Sequence, residues 1–273
     1  MGDSVWRMKP LRGFVVLLAA CLLPSFVLTA CGGTRQEAPQ ISRSVGGSAL
    51  RSADADPHDW VGIAPWHYPV HGIDVSRYQG DIDWNRVRAA RISFAYIKAT
   101  EGGDVVDGRF LDNWQKARQA GVPRGAYHYY YFCRTAAEQA AWFHANVPRD
   151  ATALPPVLDI EWTHKSKTCP MRPDPAKVRS EMAVFLRTLT QAYGKRPVIY
   201  STVDFYADNE LWRVGGYEFW LRSVAGHPSE TYPQQAWALW QYTGTGMVDG
   251  IDGLTDLNVF AGTPAQFQAW ASR

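Results

Sequence analysis

From about residue 66 onward the chain alternates short apolar runs with amphipathic stretches. The apolar runs are "VHGIDVS" (70–76), "ISFAYIKAT" (92–100), "RGAYHYYYF" (124–132), "LPPVLDIEW" (154–162) and "RPVIYST" (196–202). Their length and near-continuous apolarity predict strands buried on both faces. Between them, helical spacing predicts helices near 84–90, 110–120, 135–146 and 175–193. The third repeats Ala137, Ala140, Ala141 and His144 on one face, and the fourth runs into Gly194, a helix stop.

Strands alternating with helices imply a parallel sheet with right-handed crossovers. The segments that follow, "YEFWLRSVA", "QAWALWQYTG" and "DLNVF", are strand-like and leave little room for full helices. The expected fold is therefore α/β: a TIM-like β/α barrel with an incomplete helical layer, five βα units followed by three strands, over residues 66–273. No Gly-x-Gly-x-x-Gly or Walker loop is present, so no nucleotide is expected.

The first 65 residues have another character. Arg7, Lys9 and Arg12 precede an apolar stretch, Phe14 to Val27, which is short for a membrane span and reads as a signal peptide over residues 1–30. It ends in "LTAC", which resembles the lipobox of bacterial lipoproteins and implies Cys31 as the lipidated residue; an ordinary secretory signal and an uncleaved anchor are the alternatives, and all three export the domain. Residues 31–65 are rich in Gly, Ser, Ala, Arg and Asp and read as a flexible tether. The expectation is an exported protein, lipid-anchored to a bacterial membrane through its N-terminus alone.

The chain has 28 basic and 26 acidic residues, and the signal holds three and one of these, so the exported part carries 25 of each. With no basic excess, nucleic acid is not an expected partner. At 46% hydrophobic and 13% aromatic residues the chain has ample material for a core. Apart from Cys21 and Cys31, the cysteines are Cys133 and Cys169. They follow the third and fourth strands, so adjacent loops would bring them together, and a disulfide is expected there in an oxidising compartment. No spacing of His or Cys suggests zinc; no metal or cofactor is expected.

In a parallel barrel, chemistry gathers at the C-terminal ends of the strands. Polar residues crowd those ends: Asp74, Lys98 and Glu101, His128 and Tyr130, Asp159 and Glu161, Tyr200, then Trp240, Gln241 and Asp256. Asp159 and Glu161 alternate with Ile160, so they share a face, with Cβ atoms roughly 6.5–7 Å apart. Two close carboxyls in a cleft drive one pKa upward, which suits glycoside hydrolysis: one acid for the leaving oxygen, one negative charge near the oxocarbenium ion. An ion-paired strand or half a metal site would show the same spacing.

Four segments together resemble glycoside hydrolase family 25, the Chalaropsis-type lysozymes: "GIDVSRYQGDIDW" (72–84), "GAYHYY" (125–130), "PVLDIEW" (156–162) and "WQYTGTGMVDGIDGLTDLNVF" (240–260). The resemblance implies a β/α barrel that cuts the β-1,4 bond between N-acetylmuramic acid and N-acetylglucosamine in peptidoglycan. It implies Glu161 as general acid, Asp159 as the carboxylate steadying an acetamido group or water, Asp74 and Asp256 as acidic cleft residues, and Tyr127 as an active-site tyrosine. Tyr200, Trp240 and Gln241 are further candidates for substrate contact. Alternation along the third strand favours His128 and Tyr130 as inward, the resemblance Tyr127; Tyr127 is preferred. Asp74 and Asp256 could instead cap turns, and Tyr127, Tyr200 and Trp240 could simply fill the barrel. A catalytically idle wall-binding lipoprotein and a chitinase-like hydrolase are the rivals, though the Asp-x-x-Asp-x-Asp-x-Glu strand of the latter is missing. The peptidoglycan glycan strand is the expected partner, engaged by a monomer.

Overall fold

The computed structural model describes residues 61–163, 166–224 and 226–273, together with the backbone of residues 51–52. The signal, Cys31 and most of the tether fall outside the described residues. Residues 61–65, expected at the end of the tether, are seated on the barrel: Val61 bridges to Gly226, His227 N–H donates to Val61 O at 2.9 Å, and Ala64 and Pro65 are buried.

Among the described residues eight strands close into a barrel: β1 (His71–Val75), β2 (Phe94–Glu101), β3 (Arg124–Tyr129), β4 (Val157–Asp159), β5 (Val198–Ser201), β6 (Glu218–Arg222), β7 (Leu239–Met247) and β8 (Thr255–Phe260). Pairing is parallel from β1 through β7. The last strand, β8, runs antiparallel to both β7 and β1 and closes the circle.

Helices α1 (Trp84–Ala89), α2 (Phe110–Gln119), α3 (Ala136–Asn146), α4 (Pro175–Tyr193) and α5 (Val203–Asp208) follow β1 to β5 in turn. After β6 comes only the four-residue α6 (Pro228–Thr231), and β7 leads straight to β8. Local chemistry sets the ends. Asp174 caps α4 by accepting from Lys177 N–H, Pro175 occupies its first turn, and Gly194 ends it at φ 70°. Thr135 and Glu138 form a capping box on α3.

Each strand buries both faces. Outward residues such as Ile73, Ile97, Ile160, Phe219 and Leu221 pack under Phe143, Met182, Phe185 and Leu189 of the helices. Inward, Phe94, Tyr96, Val157, Val198 and Trp220 fill the barrel. Gly125 is needed here, because a Cβ would overlap the Tyr96 ring, whose hydroxyl donates to Pro155 O at 3.1 Å. A helix absent from the expected elements, α7 (Pro264–Ala271), seals the bottom: Phe267 lies 5.3 Å from Phe94, centroid to centroid, and Trp270 donates to Glu218 at 2.7 Å. Its sequence signals are Pro264 in the first turn and the capping box of Thr263 and Gln266.

Candidate active site

The upper end of the barrel opens into a cleft of about 310 Å3 lined by Asp74, Lys98, Tyr127, Tyr129, Asp159, Glu161, Tyr200, Arg222, Gln241 and Asp256, with Tyr78 at its mouth. Asp159 is the last residue of β4, and the chain stays extended past it: Ile160 N–H donates to Tyr200 O at 3.1 Å and Ser201 to Ile160 O at 3.1 Å. Asp159 and Glu161 therefore both face the cleft while Ile160 is fully buried in the outer layer.

Asp74 and Asp256 arrive on neighbouring strands that run in opposite directions, directly across from one another. One oxygen of Asp74 accepts from Gln241 at 3.0 Å and from Asn258 at 2.8 Å, and Tyr200 donates its hydroxyl to Gln241 at 2.8 Å. Carboxamides thus tie the floor together, so Asp74 is positioned by its neighbours rather than capping a turn. Asp159 has one buried oxygen with no hydrogen-bond partner among the described residues.

Burial raises the pKa of all four carboxyls. For Asp159 the Glu161 charge adds to burial, with Lys98 opposing. For Glu161 burial is opposed by a hydrogen bond from Tyr129 and by the charges of Arg222 and Lys98. Burial and the facing Asp256 raise Asp74 against the two amides, and burial pushes Asp256 up to about 6 against Arg222. Close carboxyls in a partly dry site retain protons to higher pH than free ones. Glu161 is half-buried where Asp159 is buried, so it is the more open of the pair to the cleft.

Most of the expected site residues meet here. Tyr127, Tyr200 and Gln241 line the cleft, whereas Trp240 does not. It lies one residue from Gln241 and so points outward, fully buried, its indole N–H donating to Ser223 O at 2.7 Å beside Tyr68, His227 and Trp237. A substrate contact by Trp240 is corrected to a packing role. His128 and Tyr130 also point outward. His128 is fully buried, 2.7 Å from Thr100 and 3.1 Å from Gln139, and Tyr127 and Tyr129 take the inward positions. The expected disulfide joins Cys133 and Cys169, with Cα atoms 5.7 Å apart. Trp162 packs on Phe132 and Phe205, and Trp220 lies in the barrel under the cleft, donating to Asn258 at 2.8 Å.

Tyr129, Arg222 and Asn258 were not singled out from the sequence. Each sits at an inward position near the upper end of a strand, two residues from another inward residue (Tyr127, Trp220 and Asp256), which is the signal that could have found them. No cluster among the described residues has the makings of a metal site.

A sequence profile of glycosyl hydrolases family 25 matches residues 73–251, a span that runs from within β1 to beyond β7 and holds three of the four carboxyls. The chain belongs to glycosyl hydrolases family 25. Lysozyme M1 of Streptomyces globisporus is 33% identical over 288 residues, covering 96% of this chain and 95% of its own. Protein YegX of Escherichia coli K12, whose function is uncharacterised, is 38% identical over 214 residues, 76% of this chain and 75% of its own. Among solved structures, a family 25 glycosyl hydrolase from Bacillus anthracis superposes with a TM-score of 0.72 at 35% identity, covering 80% of this chain and 99% of that one. The Streptomyces coelicolor lysozyme gives 0.66 at 36% identity, covering 74% and 97%. This family 25 member is a glycoside hydrolase of the lysozyme type, with a mixed α/β fold and a closed barrel like those of its neighbours.

Proposed function

We propose that the enzyme is an N-acetylmuramidase that hydrolyses the β-1,4 bond between N-acetylmuramic acid and N-acetylglucosamine, with Glu161 as general acid and Asp159 as its partner. What carries this reading is the convergence of Asp159 and Glu161 on one cleft, both with raised pKa. The lysozyme and muramidase relatives point to the same substrate.

Glu161 gives its proton to the glycosidic oxygen as the bond from that oxygen to C1 breaks. Positive charge grows on the ring, and the acidic floor favours it. Asp159 orients either the C2 acetamido group or a water for attack on C1. Water supplies the new hydroxyl, and its remaining proton restores Glu161. Tyr127, Tyr200 and Gln241 hold the sugar at the floor.

Export through residues 1–30 and a lipid on Cys31 belong to the same proposal, supported by the basic, apolar and "LTAC" sequence of that segment. In this reading the enzyme works as a membrane-tethered monomer with no cofactor. Lipid mass on the Cys31 peptide, lost in Cys31→Ser along with membrane association, tests it.

The decisive experiment is mass spectrometry of fragments released from purified peptidoglycan by the wild type and by Glu161→Gln. Fragments with reducing-end muramic acid, lost in the variant, are the expected result. No release by folded wild type overturns the muramidase, and equal release by the variant overturns the role of Glu161.

A further inference from the structure

Arg222 ends β6 with its side chain in the cleft wall, beside Gln241 in register on β7 and near Tyr200 on β5. Its charge acts on Glu161, Asp74 and Asp256, yet among the described residues no hydrogen bond or ion pair within 4.0 Å holds its guanidinium. The other cation of the cleft, Lys98, is engaged: it pairs with Glu101 at 2.6 Å and stands 4.5 Å over the Tyr129 ring. Arg222 is half-buried, so it gives up part of its hydration without a local acceptor in return.

We infer that Arg222 receives a free carboxylate carried directly on the sugar, the lactyl group of muramic acid, and that the favoured substrate is glycan already stripped of its stem peptides. A guanidinium fork matches a carboxylate in two parallel hydrogen bonds, whereas an amide offers it one neutral oxygen. Four carboxyls share the cleft and its other cation, Lys98, is already paired with Glu101, so an anionic substituent is best received at this wall. Arg222 stands level with Gln241 and Asp74 at the floor, within reach of a group a few bonds from the ring; carboxylates of a stem peptide lie many bonds farther out. The inference rests on the muramidase reading above. It places the enzyme after a reaction that hydrolyses the amide between lactyl group and peptide. There water adds across the C–N bond, leaving a carboxylate on the sugar and a free amine on the peptide.

The test uses soluble, uncrosslinked glycan strands in three forms: with stem peptides, stem-free, and stem-free with the lactyl carboxyl converted to its methylamide. Rates of reducing-end release are compared per muramic acid for wild type, Arg222→Met and Arg222→Lys at one pH, with melting temperatures recorded. Both stem-free forms meet the same Glu161, so the carboxylate-to-methylamide ratio cancels any change in its acidity. A charge-assisted pair gives an expected wild-type preference of roughly tenfold or more in kcat/KM for the carboxylate, falling near unity in Arg222→Met and partly kept in Arg222→Lys. A wild-type ratio near one, a ratio unaltered in Arg222→Met, or a preference for peptide-bearing strands overturns the inference while leaving the muramidase standing. Should the folded wild type cut none of the three, the muramidase reading falls and this inference with it. If Arg222→Met does not fold, the wild type and Arg222→Lys still decide.

Discussion

Asp74 and Asp256 face each other across the antiparallel seam of β1 and β8, two carboxyls on the strand pair that closes the barrel. Burial holds Asp256 at about 6, above its ordinary 3.8. Between those values the folded protein binds more protons than the unfolded chain, so this group's contribution to stability is full below 3.8 and is lost as pH rises through 6. Asp256→Asn should therefore raise stability at pH 7 relative to wild type by about 2–3 kcal/mol more than at pH 4. Urea unfolding at the two pH values measures it; an equal effect at both contradicts the assignment.

Glu161→Gln should lower kcat by roughly 100- to 10,000-fold, the range of a lost general acid, with little change in melting temperature. Asp159→Asn should also impair turnover. It keeps a neutral partner beside Glu161, so the alkaline limb of the pH–rate profile should move toward lower pH as Glu161 becomes easier to ionise. Steady-state kinetics on soluble glycan across pH 4 to 8 would show it, and an unmoved limb would separate the two groups.

Trp240→Ala should destabilise the enzyme by about 3–5 kcal/mol, the cost of emptying a large buried aromatic site, while KM of the folded fraction stays as in wild type. Tyr200→Phe should behave in the opposite way. It keeps the ring but removes the hydroxyl that donates to Gln241, so the loss should appear in kinetics more than in melting.

The bridge between Cys133 and Cys169 spans 36 positions in sequence and joins the loops after β3 and β4. Replacing both cysteines by serine should cost about 4 kcal/mol in the chain-entropy account, and should abolish the response of the melting temperature to reductant. Calorimetry with and without reductant checks both.

Much of this molecule was visible in the order of its residues. Strands buried on both faces appear as continuous apolar runs, so β1 to β5 could be placed, and the Asp159–Glu161 alternation put both carboxyls on one side. The same continuity hid the phase of other strands. In "YHYYY" (127–131) every position is aromatic, so nothing marks Tyr127 and Tyr129 as inward against His128 and Tyr130. Trp240 and Gln241 were ambiguous for the same reason. Arg222 sits in a run with no motif around it, and its meaning depends on what fails to touch it, which no spacing reveals. Helix α7 is short and follows the last strand, where no crossover demands a helix.

The two amides that hold Asp74 come from Gln241 and Asn258, 167 and 184 residues further along the chain. No N-terminal fragment shorter than these positions can assemble that floor, because its polar ties belong to the last strands made. Activity thus requires completion of the polypeptide: a chain truncated before these strands carries the Asp159–Glu161 pair but not the ground it stands on. For an enzyme that cuts a load-bearing polymer, the final seam of the barrel works as a safety catch.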